Sequence, residues 1–122
     1  MSAPRPSGDD TALDALEELV RRIDESVDEL ARARARAEAL LAARRAGRPW
    51  LELVTEESRP LVVESISTVL SCLATAGSQW RREEAAALQR EQVSINRIAA
   101  LFGVTRQRIS ALLKENGAGP GS

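Results

Sequence analysis

The chain has no histidine and a single cysteine, Cys72. Those two scarcities exclude disulfide frameworks, zinc sites built from the usual ligands and every histidine-dependent catalytic triad. A long hydrophobic run is also missing. The most apolar stretch, Leu61 to Ala76, is interrupted by Glu64 and several hydroxyls and is too short to span a bilayer. The opening Met1-Ser-Ala-Pro-Arg-Pro-Ser-Gly-Asp-Asp10 is polar, with no apolar segment of secretory type behind it, so a cytoplasmic chain with no membrane partner is expected. No metal and no other cofactor is expected. Adjacent carboxylates occur at Glu56-Glu57 and Glu83-Glu84. Neighbours on a helix point roughly 100° apart, and no base, nucleophile or metal partner accompanies these pairs, so they read as solvated surface and an enzyme is not expected.

What the chain does have is helix-forming material. Its 122 residues are 43% hydrophobic and 29% charged, one soluble domain's worth of protein with a modest core, for which help from a second chain stays open. The net charge of −1 conceals an asymmetry: residues 1 to 79 hold 10 arginines against 14 acids, whereas residues 80 to 122 hold 7 basic residues against 4 acids. A basic C-terminal end on an otherwise acidic chain is the charge distribution of a local anion-binding function.

The fold class expected is all-α: a long N-terminal coiled-coil or bundle helix, central helices, and a C-terminal helical pair. Residues 1–10 read as a disordered arm and 117–122 as a disordered tail. Thr11 with Asp14 forms a capping-box-like start to the first helix. From there Leu13, Leu16, Val20, Ile23, Val27 and Leu30, then Arg34, Ala37 and Leu41, recur in alternating steps of three and four, the seam of a coiled coil or bundle. Gly47 ends this helix after roughly 35 residues, or about 50 Å. Leu19 and Leu40 widen the stripe, so two arrangements stay open: pairing between chains through Leu16, Val20, Ile23, Val27 and Leu30, or folding back on the same chain. Pro49 opens a short amphipathic piece, and Pro60 starts a helix whose Leu61, Val62, Val63, Ile66, Val69, Leu70 and Leu73 cover more than one face, predicting a sandwiched central element with Cys72 buried in it. Gly77 is expected to close that helix and Ser78 to cap the next, to about Gln92, separating region 11–77 from region 78–116. Trp50 and Trp80 are expected as core anchors.

The informative segment is Ser94-Ile-Asn-Arg-Ile-Ala-Ala-Leu-Phe-Gly-Val-Thr-Arg-Gln-Arg-Ile-Ser-Ala-Leu-Leu-Lys-Glu115. Ser94 can cap a short helix, Gly103 supplies the positive φ of a tight turn, and Thr105 can cap a second helix. Ala99 is small where the helices must approach, while Ile98, Leu101, Phe102, Val104, Ile109 and Leu112 stand where they would fill the wedge between them. With Ala99, Gly103 and Ile109 so spaced, the segment resembles a bacterial helix-turn-helix, especially the form found in region 4 of sigma factors and in resolvase-like or homeodomain-like regulators. The resemblance covers 94–115, or a wider span with the preceding helix as support; the N-terminal part resembles no family.

The resemblance implies that the second helix enters the major groove of double-stranded DNA. Its polar face supports the same reading. Arg106, Gln107 and Ser110 are the expected base readers, since arginine can read guanine and glutamine adenine bidentately. Arg97, Arg108 and Lys114 are expected to reach phosphates, with Thr105 and the helix N-terminus adding hydrogen bonds to the DNA backbone. Arg81, Arg82 and Arg90 are weaker candidates that can equally pair with Glu83, Glu84 and Glu91. The function expected is a sequence-specific transcriptional regulator, a homodimer placing two recognition helices in successive major grooves. Two alternatives stay open: an adaptor that docks on RNA polymerase, a sigma factor or another regulator through its N-terminal helix, and a nucleoid-associated architectural protein.

Overall fold

The computed structural model describes residues 10–117. It contains five helices, α1 (Thr11–Arg45), α2 (Trp50–Glu56), α3 (Val62–Arg90), α4 (Ile95–Phe102) and α5 (Arg106–Gly117), and no strand among the described residues. The all-α expectation is met, and no helix is long and apolar enough to cross a membrane. Of the expected arm only Asp10, and of the expected tail only Gly117, fall within the described residues. Asp10 and Gly117 belong with helices: Asp10 caps α1 and Gly117 ends α5. The chain forms two compact units, one of the residues up to Val20 with those from Thr75 onward, the other Arg21–Ala74.

The start of α1 corrects the expected Thr11–Asp14 cap. The Leu13 N–H donates to Asp10 Oδ1 at 3.0 Å, so Asp10 satisfies an orphan donor of the first turn, and Thr11 Oγ1 instead donates to Glu83 at 2.6 Å. At its other end α1 stops where expected. Gly47 takes φ +100°, and the Gly47 and Arg48 N–H groups donate back to the Arg44 and Ala43 carbonyls. The short α2 buries Leu53, while Arg48 pairs with both Glu52 and Glu56 and is held more basic than usual, chiefly by Glu56. Trp50 is not a core anchor: it lies on the surface with the Arg44 guanidinium 5.3 Å above its ring.

Within the Arg21–Ala74 unit, α1 and α3 run antiparallel. Arg36 donates to the Pro60 carbonyl at 2.6 Å and to Ser65 Oγ at 2.7 Å, and Glu29, two turns earlier on α1, also meets Ser65. Hydrogen bonds from Arg32 and then Ser65 hold the Glu29 carboxyl below its ordinary pKa. The inner face of α1 here is small and polar: Ser26 and Ala33 are buried, Arg22, Glu29 and Arg36 half-buried. Opposite them α3 buries Ser65 and Val69. The long helix therefore does pack against its own chain, but through a seam one residue earlier than the apolar one. Leu16, Val20, Ile23, Val27 and Leu30 are all exposed.

Two expectations about α3 are overturned. It is not broken at Gly77, and Ser78 caps nothing; the helix continues unbroken to Arg90, with Gly77 in ordinary helical conformation. A glycine inside a helix costs only about 1 kcal/mol against alanine, which flanking turns that bury Ala76, Ala85 and Ala86 offset. Nor is α3 sandwiched, since Val63, Ile66 and Leu70 are exposed and Cys72 is half-buried rather than buried. The helix ends through Gln92 in the left-handed region (φ 71°), with the Val93 N–H donating to the Leu88 carbonyl at 3.0 Å. The adjacent carboxylates stand wholly or partly in solvent, as expected, and are engaged in hydrogen bonds and ion pairs there. Glu57 accepts from the Val62 N–H, Glu83 from Thr11 and Gln79, and Glu56 and Glu84 pair with arginines.

A methyl group at Gly77 would meet no atom within 4 Å. Gly77→Ala is therefore expected to stabilise the protein by about 0.5–1 kcal/mol, read as a higher urea midpoint at unchanged m-value.

Candidate nucleic-acid interface

The segment from Ser94 onward folds as its residue types dictate. Ser94 has extended backbone, and its Oγ accepts the Arg97 N–H at 3.1 Å, starting α4. After the eight residues of α4, Gly103 takes φ 69°, ψ 34°, and its N–H returns to the Ala100 carbonyl while the Val104 N–H returns to Ala99 at 3.0 Å. Thr105 Oγ1 then accepts the Arg108 N–H at 3.1 Å and caps α5. All three capping or turning residues expected from the sequence hold those positions.

Packing turns this local grammar into a rigid wedge. Ile98 and Ile109 have no solvent exposure and share one apolar cluster with Ala85 of α3, Ala99 and Leu112; Leu88, Val93, Ile95, Phe102 and Leu113 close over it. On α4 the inward residues are Ile95, Ile98, Ala99 and Phe102, the i, i+3, i+4, i+7 stripe of one helix face. Leu101 and Val104, expected in the wedge, are exposed instead. Leu101 falls outside that stripe, and Val104 sits in the turn, its N–H committed to Ala99. From α3, Arg81 lies with its guanidinium 4.1 Å above the Phe102 ring and pairs with Glu84, while Arg82 reaches Glu115 at 3.8 Å. These two arginines brace the wedge.

Burying Ile109 and Leu112 leaves the other side of α5 in solvent. Gln107, Ser110, Ala111 and Lys114 form one exposed stripe at i, i+3, i+4 and i+7, and Arg106 is exposed beside its first turn. The stripe runs about 10 Å along the helix, with Gln107 at its N-terminal end and Lys114 at its C-terminal end. Thr105, Arg97 and Arg108 are exposed as well. None of Arg97, Arg106, Arg108 and Lys114 makes an ion pair among the described residues, in contrast to Arg22, Arg32, Arg34, Arg48, Arg59, Arg81 and Arg82, which all do.

The expected phosphate-contacting residues do not share one hollow. Arg97 lines an open depression with Gln92, Val93, Ser94 and Leu101, whereas Arg108 lines a separate cleft of about 400 Å³ with Arg81, Arg82 and Glu115. That second grouping, one arginine of α5 beside two of α3, was not readable from the sequence, because it depends on how α5 packs against the C-terminal turns of α3. No group of three or more potential metal-ligating side chains gathers among the described residues. In comparisons with known proteins, the chain matches no family model, no curated protein and no solved structure.

Two substitutions probe the wedge. Ile109→Ala should cost about 2–5 kcal/mol, the usual range for emptying a fully buried aliphatic site. Gly103→Ala should cost about 1–2 kcal/mol from backbone conformation alone, since the added Cβ meets nothing within 4 Å. Equilibrium unfolding in urea reads both; a neutral Gly103→Ala would contradict the left-handed turn.

Proposed function

We propose that the C-terminal turns of α3 with α4 and α5 form a helix-turn-helix that binds double-stranded DNA, and that the chain is a sequence-specific transcriptional regulator acting as a homodimer. The observation that carries this reading is the exposed face of α5. Arginine, glutamine and serine side chains stand in solvent on a helix whose opposite side is locked into an apolar wedge, and Arg97, Arg106, Arg108 and Lys114 make no ion pair among the described residues. An α-helix fits the major groove, where Arg106, Gln107 and Ser110 would meet base edges. Arg97, Arg108 and Lys114 would neutralise phosphates, and their separation into different surfaces suits contacts on both sides of a groove. Thr105, whose hydroxyl oxygen already accepts the Arg108 N–H, can still donate its proton to a phosphate oxygen.

Binding of one such module covers few base pairs, so two copies on a two-fold-related site would raise both affinity and specificity.

Fluorescence anisotropy with duplex pools tests the reading. Affinity should fall steeply as salt rises, because neutralised phosphates release counterions. Arg106→Ala should relax preference at one base position at a cost of about 1–3 kcal/mol, whereas Lys114→Ala should weaken all sequences alike and lower the salt slope by about one. Absence of salt-dependent binding to any duplex at low ionic strength would sink the proposal, and equal affinity for selected and random duplexes would replace the regulator with an architectural protein.

A further inference from the structure

In the Arg21–Ala74 unit the side chains are distributed contrary to their size. The contact between α1 and α3 is made by serine, alanine, hydrogen-bonded arginine and Val69, while Ile23, Val27 and Leu30 of α1 and Val63, Ile66 and Leu70 of α3 are exposed. The two exposed sets are in register with the buried ones. On α1, Val27 and Leu30 each follow an inward residue, Ser26 and Glu29; on α3, Val63, Ile66 and Leu70 follow Val62, Ser65 and Val69. One residue is a rotation of about 100°. Viewed end-on, antiparallel helices rotate in opposite senses, and their inner seams point in opposite directions, so both rotations lead to the same side of the pair. Ile23, Val27 and Leu30 thus lie on one face with Val63, Ile66 and Leu70.

A face of this kind matches half of a four-helix bundle, in which each helix carries one seam for its hairpin partner and another for the opposing pair. We infer that its occupant is the same face of a second copy of this chain, so that α1 and α3 of both copies form the dimer core. Two observations favour a second copy. Exposures of 59% at Val27, 67% at Val63 and 63% at Leu70 belong to a continuous patch that, with its neighbours, amounts to on the order of 500 Å². Two such faces together reach the threshold of about 1,000 Å² that a specific interface requires. Next, α3 carries no charged residue between Glu64 and Arg81, and exposed Ser67, Ser71 and Ala74 beside the patch are small enough to let another helix approach.

This inference takes up the pairing in the proposed function and replaces a seam on α1 alone with a face that includes α3. It does not rest on DNA binding, because the test contains no DNA. Sedimentation equilibrium of the full chain at tens of micromolar should give twice 13.2 kDa. A monomer there overturns the inference. Leu70→Glu and Val27→Glu should each give monomers that keep their helical circular dichroism, while Leu101→Glu, on α4, should remain dimeric. A Leu70→Glu dimer indistinguishable from wild type overturns the part played by α3. Should the glutamate variant unfold, Leu70→Ala decides by dilution: its dimer dissociation constant should rise about tenfold, and an unchanged constant counts against the inference.

Discussion

The contact of Ile98 and Ile109 within one sealed apolar cluster is the constraint on which the C-terminal part of this protein depends. Two short helices of eight and twelve residues have little stability alone, and what orients them is the burial of branched side chains on either side of a three-residue turn. Gly103 makes the turn possible by accepting a left-handed conformation, Ser94 and Thr105 satisfy the N–H groups at the two helix starts, and Arg81 stacks on Phe102 to hold α4 against α3. Once Ile109 and Leu112 point inward, the period of the helix leaves Gln107, Ser110 and Lys114 no choice but to point outward. The proposed recognition surface is a consequence of the core.

The Arg21–Ala74 unit is built on the opposite plan. Its inner contact is thin, made from Ser26, Ala33, Ser65 and Val69 and completed by polar bonds from Arg36, whose Nε is buried without a partner. Small residues let helices approach closely but withdraw little apolar area from water, so this contact supplies modest stability by itself. The larger aliphatic side chains lie on an adjoining face, where covering them would supply the stabilisation that the inner seam lacks. In the proposed dimer, placing the bulky residues outside would make chain folding and chain pairing parts of one process.

Several structural features follow from residue type and spacing, and these were legible in the sequence. Gly47, Ser94, Gly103 and Thr105 act where their local chemistry says they must, because capping and left-handed turns are decided within a few residues. The alternating three-four spacing from Leu13 to Leu41 marked a helix and a seam, and the helix is there over the expected length. The same spacing could not say which seam the chain uses on itself. Two seams offset by one residue run along α1; the apolar one dominates the pattern, and the alanine–serine one makes the intrachain contact. Gly77 misled for a related reason, since a glycine signals a break only when the surrounding packing does not hold the helix together.

What the sequence by itself determined is the all-helical class, the limits of α1, and the helix, turn and helix from Ser94 to Glu115, all governed by interactions among near neighbours. Only the tertiary structure decided that α3 is one helix, that Leu101 and Val104 lie outside the wedge, that Arg108 stands beside Arg81 and Arg82, and that the apolar residues of α1 and α3 share a face. Those outcomes depend on which surfaces meet, a competition between burial and local preference that involves residues far apart in the chain.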